Sequence, residues 1–213
     1  IFLSVLICSL SESYSNKSNL RLTQEQTPQT LKVKINKQQE NCIENGKKIK
    51  LIPLFCPCLN NSYPNITNIK VKINGKSVKI KGCKTSDGKE LLGFDPNDQI
   101  IEASETIDAT AQNSEENKNN GTDTESLDIN IDFPPEQLNL TGIFKNVTSI
   151  QELTFMSEFK QLTTAKDMFT GCSKLKKVDF GNCTFEKITD LSFLFNQCTM
   201  LTDVKFGPKI SKF

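Results

Sequence analysis

The chain has 213 residues, with 26 basic and 25 acidic side chains and a formal net charge of +1. Histidine is absent from the sequence, so the commonest general base and metal ligand is missing. No nucleophile elbow, glycine-rich phosphate loop or carboxylate pair at motif spacing appears either. These features argue against an enzyme, and we expect a binding protein without a cofactor or a bound metal ion.

The N-terminal end has the pattern of a secretory signal. Residues 1–10 form an apolar run, too short to span a membrane, and small and polar residues follow it. We therefore assign residues 1–15 to a partial signal peptide and 16–30 to an N-terminal linker; a buried core helix is the alternative for the apolar run. The predicted location is secreted or cell-surface, and no membrane anchor is visible in the sequence.

Seven sequons of the form N-x-S/T agree with a secreted glycoprotein, although a chain this rich in Asn, Ser and Thr would contain several by composition. Asn182 lies beside Cys183 in the repeats described below, and we expect it to be too buried to modify. The remaining glycosylation candidates are Asn16, Asn60, Asn65, Asn120, Asn139 and Asn146.

Residues 31–101 predict a small antiparallel β domain. Leu31, Val33 and Ile35 alternate with lysines, and a second alternating run continues through Asn74-Gly75, a strong hairpin signal. A two-residue loop there would place four lysines on one exposed face, which is either a solvated sheet face or a site for a polyanion such as a sulfated glycan. These lysines are Lys70, Lys72, Lys79 and Lys81. A nucleic-acid partner is not expected, because Arg21 is the only arginine and no aromatic residues are interleaved with the lysines.

Four cysteines of this segment form an even set. In an oxidising compartment disulfides are the default, and three pairings are open. A zinc site is the alternative and would require all four thiolates, because the chain has no histidine. The disulfide candidates are Cys42, Cys56, Cys58 and Cys83.

Residues 102–132 are acidic and contain few large apolar side chains. They carry nine acids against Lys118, whereas residues 31–90 carry thirteen lysines against four acids. The composition predicts a disordered linker between two domains, with a charge opposite to that of the preceding segment.

The C-terminal third contains a sequence repeat. MFTGC at 168–172 recurs 26 residues later as LFNQC, and a degraded copy lies 25 residues upstream. Its spacing matches the leucine-rich pattern L-x-x-L-x-L, so we predict a solenoid in which short parallel strands stack with short helical turns between them. An ordinary domain with accidental periodicity is the alternative. The aligned columns are Phe144/Phe169/Phe195, Val147/Cys172/Cys198, Ile150/Leu175/Leu201, Leu153/Val178/Val204 and Phe155/Phe180/Phe206.

The segment LTTAKDMFTGCSKLKKVDFGNCTFEKITDLSFLFNQCTMLTDVKF resembles the BspA-like leucine-rich repeats of surface proteins, also found in mycoplasma surface lipoproteins. The resemblance covers about residues 139–213 and departs from the pattern at Val147 and Leu194, which replace cysteine and methionine. It implies a secreted or cell-surface binding protein with a role in adhesion, and it implies no catalytic residues. We assign residues 133–213 to about three such repeats, incomplete at the C-terminal end.

Stacked repeats would bring Cys172 within about 5 Å of Cys198, which makes a disulfide between them a candidate. The alternative is that both are small buried apolar side chains.

The sequence thus predicts a β-rich, multi-domain protein whose work is binding. Protein recognition through the repeat sheet is the leading hypothesis; polyanion or carbohydrate binding by the basic β domain and a structural surface coat are the alternatives. The expected partner is an extracellular protein or another cell-surface ligand. The residues predicted to contact it are the exposed strand residues Thr154, Lys177, Asp179, Asp203 and Lys205.

Overall fold

A computed structural model describes residues 28–57, 68–96, 98, 126–136 and 138–207. The predicted signal peptide, most of the predicted N-terminal linker and residues 102–125 of the predicted acidic linker lie outside these ranges. Within the described ranges, no helix has the length and apolar character needed to cross a membrane.

The described chain is β-rich, as predicted, and its strands form one large sheet, one small barrel and a two-stranded ladder. The strands are β1 (Gln29–Asn36), β2 (Glu40–Glu44), β3 (Lys47–Phe55), β4 (Lys70–Ile73), β5 (Lys76–Val78), β6 (Lys81–Lys84), β7 (Glu90–Phe94), β8 (Ser126–Phe133), β9 (Leu138–Asn139), β10 (Ile150–Phe155), β11 (Leu162–Thr164), β12 (Lys177–Asp179) and β13 (Asp203–Lys205).

The large sheet joins the two regions that the sequence separates. Its strand order is β13-β12-β10-β1-β8-β4-β5, so β1 lies between β8 and the first strand of the repeats. Strands β10, β12 and β13 run parallel, whereas β1 pairs antiparallel with both of its neighbours. The predicted division into a domain at 31–101 and a domain at 133–213 is therefore wrong for this sheet, because strands from both share one core.

The predicted acidic linker is also wrong at its C-terminal end, where residues 126–132 belong to β8. In this segment Ile129, Ile131 and Phe133 are buried and alternate with polar residues that point away from the core. The acidic composition concealed this alternation. Strand β8 pairs along its whole length with β1, so the burial of its apolar side chains offsets the cost of ordering it.

The predicted hairpin at Asn74-Gly75 is confirmed. Val71 pairs with Val78, and both turn residues have the positive φ that a two-residue loop requires. Lys81, however, lies on β6 in the barrel, so the four predicted lysines do not share one face. The chain leaves the hairpin after Val78 and enters a different sheet.

The barrel consists of β2, β3, β7 and β6. An Asn45-Gly46 turn with positive φ at both residues connects β2 to β3.

A disulfide joins Cys42 to Cys83 with 5.8 Å between their Cα atoms, which confirms that these two candidates form a disulfide. It crosses the seam between β2 and β6, where the strands share one residue pair, Ile43 with Lys84. Cys56 is disulfide-bonded as well, and Cys58 lies outside the described residues.

The three repeat copies stack as layers. Phe144, Phe169 and Phe195 form one ladder of stacked rings, with centroids 5.8 and 5.6 Å apart. A second ladder runs through Phe155, Phe180 and Phe206 with centroids 4.9 and 5.2 Å apart. The predicted columns are thus columns of direct contact between successive layers.

Main-chain hydrogen bonds between the layers repeat with the same period. Phe144 N–H donates to the Met168 carbonyl at 3.1 Å, and Phe169 N–H donates to the Leu194 carbonyl at 3.0 Å. In each case the N–H belongs to the earlier layer and the carbonyl to the later one. Other bonds between the layers run in the opposite direction, for example from Lys176 N–H to the Gln151 carbonyl at 2.7 Å and from Thr189 N–H to the Thr163 carbonyl at 2.8 Å.

The segment after β3 closes the N-terminal side of the first layer. The ring of Phe55 stacks on Phe144 at 5.9 Å, and Cys56 N–H donates to the Ile143 carbonyl at 2.8 Å. Ile143 occupies the column of Met168 and Leu194, so Cys56 supplies the hydrogen bond that a preceding repeat would supply. This contact satisfies a carbonyl and buries a ring that would otherwise be exposed.

Cys172 and Cys198 are free thiols, so the candidate disulfide between them is wrong. Each S–H instead donates to a carbonyl of the preceding layer: Cys172 to Phe144 and Cys198 to Phe169, both at 3.0 Å. Burial raises the pKa of both thiols. Cys172 and Cys198 therefore act as small hydrogen-bond donors between successive layers. Val147 occupies the same column in the first layer, and its side chain has no donor group.

Candidate functional site

The large sheet has one buried face and one polar face. We call the second the outer sheet face; it consists of the side chains on β1, β4, β8, β10, β12 and β13 that point away from the core. Strand β1 shows the division clearly, since Leu31, Val33 and Ile35 are fully buried while Lys32 and Lys34 point outward. Because side chains alternate along a strand, each outward residue lies beside the outward residues of neighbouring strands.

A row of alternating charge crosses five adjacent strands of this face. The pairing register places Asp203 beside Lys177, Lys177 beside Glu152, Glu152 beside Lys34, and Lys34 beside Asp128. The signs along the row are negative, positive, negative, positive and negative. We call this set the charge row.

Ion pairs join members of the charge row to each other and to a neighbouring lysine. The Nζ atom of Lys34 lies 3.4 Å from Glu152 Oε1, and Lys177 Nζ lies 3.8 Å from Asp203 Oδ2. Lys32 Nζ lies 3.1 Å from Asp128 Oδ2. All of these side chains are partly exposed, so each pair contributes only about 0–1 kcal/mol to folding.

A cavity of about 500 Å³ lies on the outer sheet face, where β1 is flanked by β8 and β10. Its walls are polar and carry both charge signs, so they can accept and donate hydrogen bonds to a bound group. The lining residues are Lys32, Lys34, Ser126, Asp128, Glu152 and Thr154.

The structure places all five predicted contact residues on the outer sheet face. Lys177 and Asp203 belong to the charge row, and a parallel row runs from Thr154 through Asp179 to Lys205. The sequence prediction missed Lys32, Lys34, Asp128 and Glu152. The alternation in β1 was visible, but only the pairing of β1 with β10 brings its lysines beside the repeat strands.

The lysines of the alternative polyanion site are separated. Lys72 pairs with Asp132 at 3.1 Å on the outer sheet face. Lys81 pairs with Asp98 at 2.5 Å beside the barrel, and this hydrogen bond raises the pKa of Lys81 and lowers that of Asp98. Lys70 and Lys79 are exposed. Acidic partners therefore neutralise two of the four lysines.

A second cavity, of about 480 Å³, lies on the barrel near the disulfide. Its walls combine the apolar residues Ile43, Leu91 and Leu92 with the charged residues Lys84 and Glu90. An ion pair of 3.1 Å joins Lys84 to Glu90. None of the predicted site residues except Cys83 lies on this cavity.

Three of the sequons fall within the described residues. Asn146 is exposed, whereas Asn139 is partly buried and its Oδ1 accepts a hydrogen bond from Thr141 N–H at 3.0 Å. Asn182 is exposed, contrary to the expectation that it is too buried, although Thr184 of the same sequon is buried. The other candidates, Asn16, Asn60, Asn65 and Asn120, lie outside the described residues.

The described residues contain no group of three or more Cys, Asp or Glu side chains arranged to hold a metal ion. The Cys42–Cys83 disulfide also occupies two of the four sulfurs that the alternative zinc site requires. Comparisons of the chain with models of known protein families, with curated protein sequences and with solved structures found no match.

Proposed function

We propose that the protein is a non-enzymatic binding protein that recognises another protein through the outer sheet face. The charge row carries this proposal. Its five residues alternate in sign across five adjacent strands, at the spacing of about 4.8 Å between neighbouring strands. A polypeptide surface can present complementary charges at such a spacing, whereas a uniformly charged polyanion would meet attraction and repulsion in turn.

We further propose that the stacked layers begin a leucine-rich-repeat solenoid of the BspA-like type, and that the protein works outside the cell in adhesion. The column register and the sequence resemblance support the first point. The apolar N-terminal run, the sequons and the Cys42–Cys83 disulfide support the second, because structural disulfides persist in oxidising compartments.

The proposal is tested by screening the full chain against an array of purified extracellular proteins. Lys34→Glu combined with Lys177→Glu removes the alternation of the charge row, and Lys47→Glu combined with Lys48→Glu is the matched control on the barrel. The proposal is supported by array proteins that bind the native chain and the barrel control but do not bind the charge-row variant. An array without hits, or hits that survive loss of the charge row, would count against it.

Polyanion binding remains the alternative, because Lys70 and Lys79 stay exposed at the β4–β5 end of the sheet. Retention on a heparin column that falls after Lys70→Glu and Lys79→Glu, but not after the charge-row change, would favour it. Ordered self-assembly of the full chain without any ligand would favour a surface-coat role instead.

A further inference from the structure

Gly82 is the one described glycine that neither backbone conformation nor packing explains. It lies in β6, and its φ is outside the left-handed region. A Cβ atom at this position would lie 3.8 Å from the Leu91 carbonyl oxygen and 4.0 Å from Leu92 Cδ1, which are ordinary contact distances. Gly93 on β7 is a contrast, because a Cβ atom there would collide with the Ile52 carbonyl. A glycine weakens a strand and is typical of a site that a ligand or another backbone approaches closely.

The main-chain groups of Gly82 point toward the seam between β6 and β2. Thr85 N–H donates to the Lys89 carbonyl at 2.9 Å where β6 and β7 join, so these two residues form a hydrogen-bonded pair. Hydrogen-bonded and non-hydrogen-bonded pairs alternate along an antiparallel ladder, and the pairing of β6 with β7 has no register shift. The N–H and carbonyl groups of Gly82 and Lys84 therefore point away from β7, toward β2.

Strand β2 supplies a pairing partner for Lys84 but none for Gly82. Ile43 pairs with Lys84, and the residue that would pair with Gly82 is Asn45. Asn45, however, has a φ of 49° and already belongs to the turn into β3. Among the described residues, no hydrogen bond engages the Gly82 N–H or carbonyl on this side. One main-chain donor and one acceptor are thus open to the cavity of about 480 Å³ beside the disulfide, which we call the barrel cavity.

The barrel cavity adds apolar surface and a carboxylate to these two groups. Cys83 points inward to the disulfide, so the side of Gly82 that lacks a side chain points outward into the cavity. Ile43, which is 45% exposed, and Leu92 form apolar walls. Glu44 lines the cavity as well, and no described lysine lies within 4 Å of its carboxylate.

Two lysines lie near Glu44 without forming an ion pair with it. Lys47 pairs with Glu44 across the hairpin through the main chain only. The charge of Glu44 reaches Lys81 and helps to raise its pKa, but Lys81 is bound to Asp98 instead. The Glu44 carboxylate is therefore available to a cationic group of a ligand.

We propose that this opening binds the N-terminus of a peptide whose first residue is aliphatic. The first residue lies opposite Gly82, where its carbonyl accepts the Gly82 N–H and its amino group donates to the Gly82 carbonyl. Residues opposite each other in a sheet point to the same face, so the aliphatic side chain enters the barrel cavity against Ile43 and Leu92. The site is independent of the outer sheet face, because none of the residues that line the cavity belongs to the large sheet.

The seam admits a chain end rather than a continuous strand. A segment that runs antiparallel to β6 must begin opposite Gly82, because Ile43 already occupies the place beside Lys84. A free α-amino group is positively charged at neutral pH, and in this position it lies on the side of Glu44. A segment that runs the other way must end there, and its carboxylate would be repelled by Glu44.

The test is an NMR titration of the full chain with the peptide Leu-Ala-Ala-amide and with its N-acetylated form. The free amine is expected to shift the amide signals of Ile43, Gly82 and Leu92. The acetylated peptide lacks the positive charge and should bind at least about threefold more weakly. Gly82→Val fills the space of the aliphatic side chain and should weaken binding at least about tenfold while the protein remains folded. The control is Asn41→Val, which lies on β2 outside the cavity lining and should bind like the native chain.

The proposal is overturned if millimolar Leu-Ala-Ala-amide leaves these signals unchanged or shifts only signals of the outer sheet face. Equal binding of the two peptides, or unchanged binding by a folded Gly82→Val variant, overturns it as well. If Gly82→Val does not fold, Glu44→Gln decides the outcome. Loss of the preference for the free amine in that variant supports the proposal, and an unchanged preference contradicts it.

Discussion

The ring of Phe55 stacks on the ring of Phe144 with 5.9 Å between their centroids. This contact continues the ladder of rings through the repeats into the segment that follows β3. Beside it, the hydroxyl of Ser149 donates to the Pro53 carbonyl, and Asn36 N–H donates to the Ser149 carbonyl at 2.8 Å. The N-terminal strands thus cap the repeat stack and extend its sheet.

Because of this cap, the repeats are not expected to fold alone. A fragment of residues 133–213 lacks β1, which pairs with β10, and lacks the ring that covers Phe144. We expect it to show the poorly dispersed amide spectrum of an unfolded chain. A fragment of residues 28–213 is the control and should give dispersed signals; a folded 133–213 fragment would contradict the shared core.

The ring ladder predicts unequal costs for two equivalent substitutions. Phe169 is fully buried between Phe144 and Phe195, so Phe169→Ala should lower the free energy of unfolding by about 3–5 kcal/mol. Phe195 stacks on Phe169 and has a tilted contact with Phe180 at 6.3 Å, but it is partly exposed, so Phe195→Ala should cost about 1–2 kcal/mol. Denaturant titration measures both values, and equal costs would argue against a stack that ends at Phe195.

The disulfide across the barrel seam should stabilise the protein by limiting its unfolded state. For a sequence separation of 41 residues the loop-entropy relation gives about 4 kcal/mol. We expect Cys42→Ser combined with Cys83→Ser to lower the free energy of unfolding by about 2–5 kcal/mol under non-reducing conditions. The variant Cys198→Ala, which leaves both strands of the seam intact, is the control and should lose less.

Alkaline pH should destabilise the fold through its buried thiols. Burial raises the pKa of Cys183 to about 12, whereas the pKa of a thiol in an unfolded chain is about 8.5. The folded pKa is the higher one, so the stabilisation is complete below about pH 8.5 and is lost as pH rises toward 12. At pH 10 the loss from this thiol should be about 2 kcal/mol.

The variant Cys183→Ala isolates that contribution. The difference in unfolding free energy between the native protein and the variant should shrink between pH 8 and pH 10. A difference that does not change with pH would show that the Cys183 thiol ionises alike in both states.

Local sequence patterns predicted several parts of the fold correctly. Asn74-Gly75 predicted a two-residue turn, whose geometry depends on two adjacent residues with positive φ, and the structure pairs Val71 with Val78 across it. The 25- and 26-residue spacing predicted which rings stack, because neighbouring layers place equivalent residues in contact. Asn45-Gly46, between β2 and β3, has the same sequence signal and the same positive φ at both residues.

Pairings between distant segments were not predictable from the same patterns. The alternation in β8 was present but was hidden by its acids, and the sequence alone does not show that β1 separates β8 from β10. The charge row depends on this order, since Lys34 and Asp128 come from strands far apart in the chain. Lys81 was predicted to share the exposed face of the hairpin, but the chain leaves the large sheet after β5 and enters the barrel at β6. The local sequence pattern does not show this change of sheet.

The central claim is that a protein partner binds the outer sheet face. The most direct measurement is lysine acetylation, quantified by mass spectrometry, with and without a partner found on the protein array. We predict that the bound partner protects Lys34 and Lys177 and leaves Lys47 and Lys48 on the barrel unchanged. Protection of the barrel lysines, with Lys34 and Lys177 reacting as in the free chain, would contradict the claim.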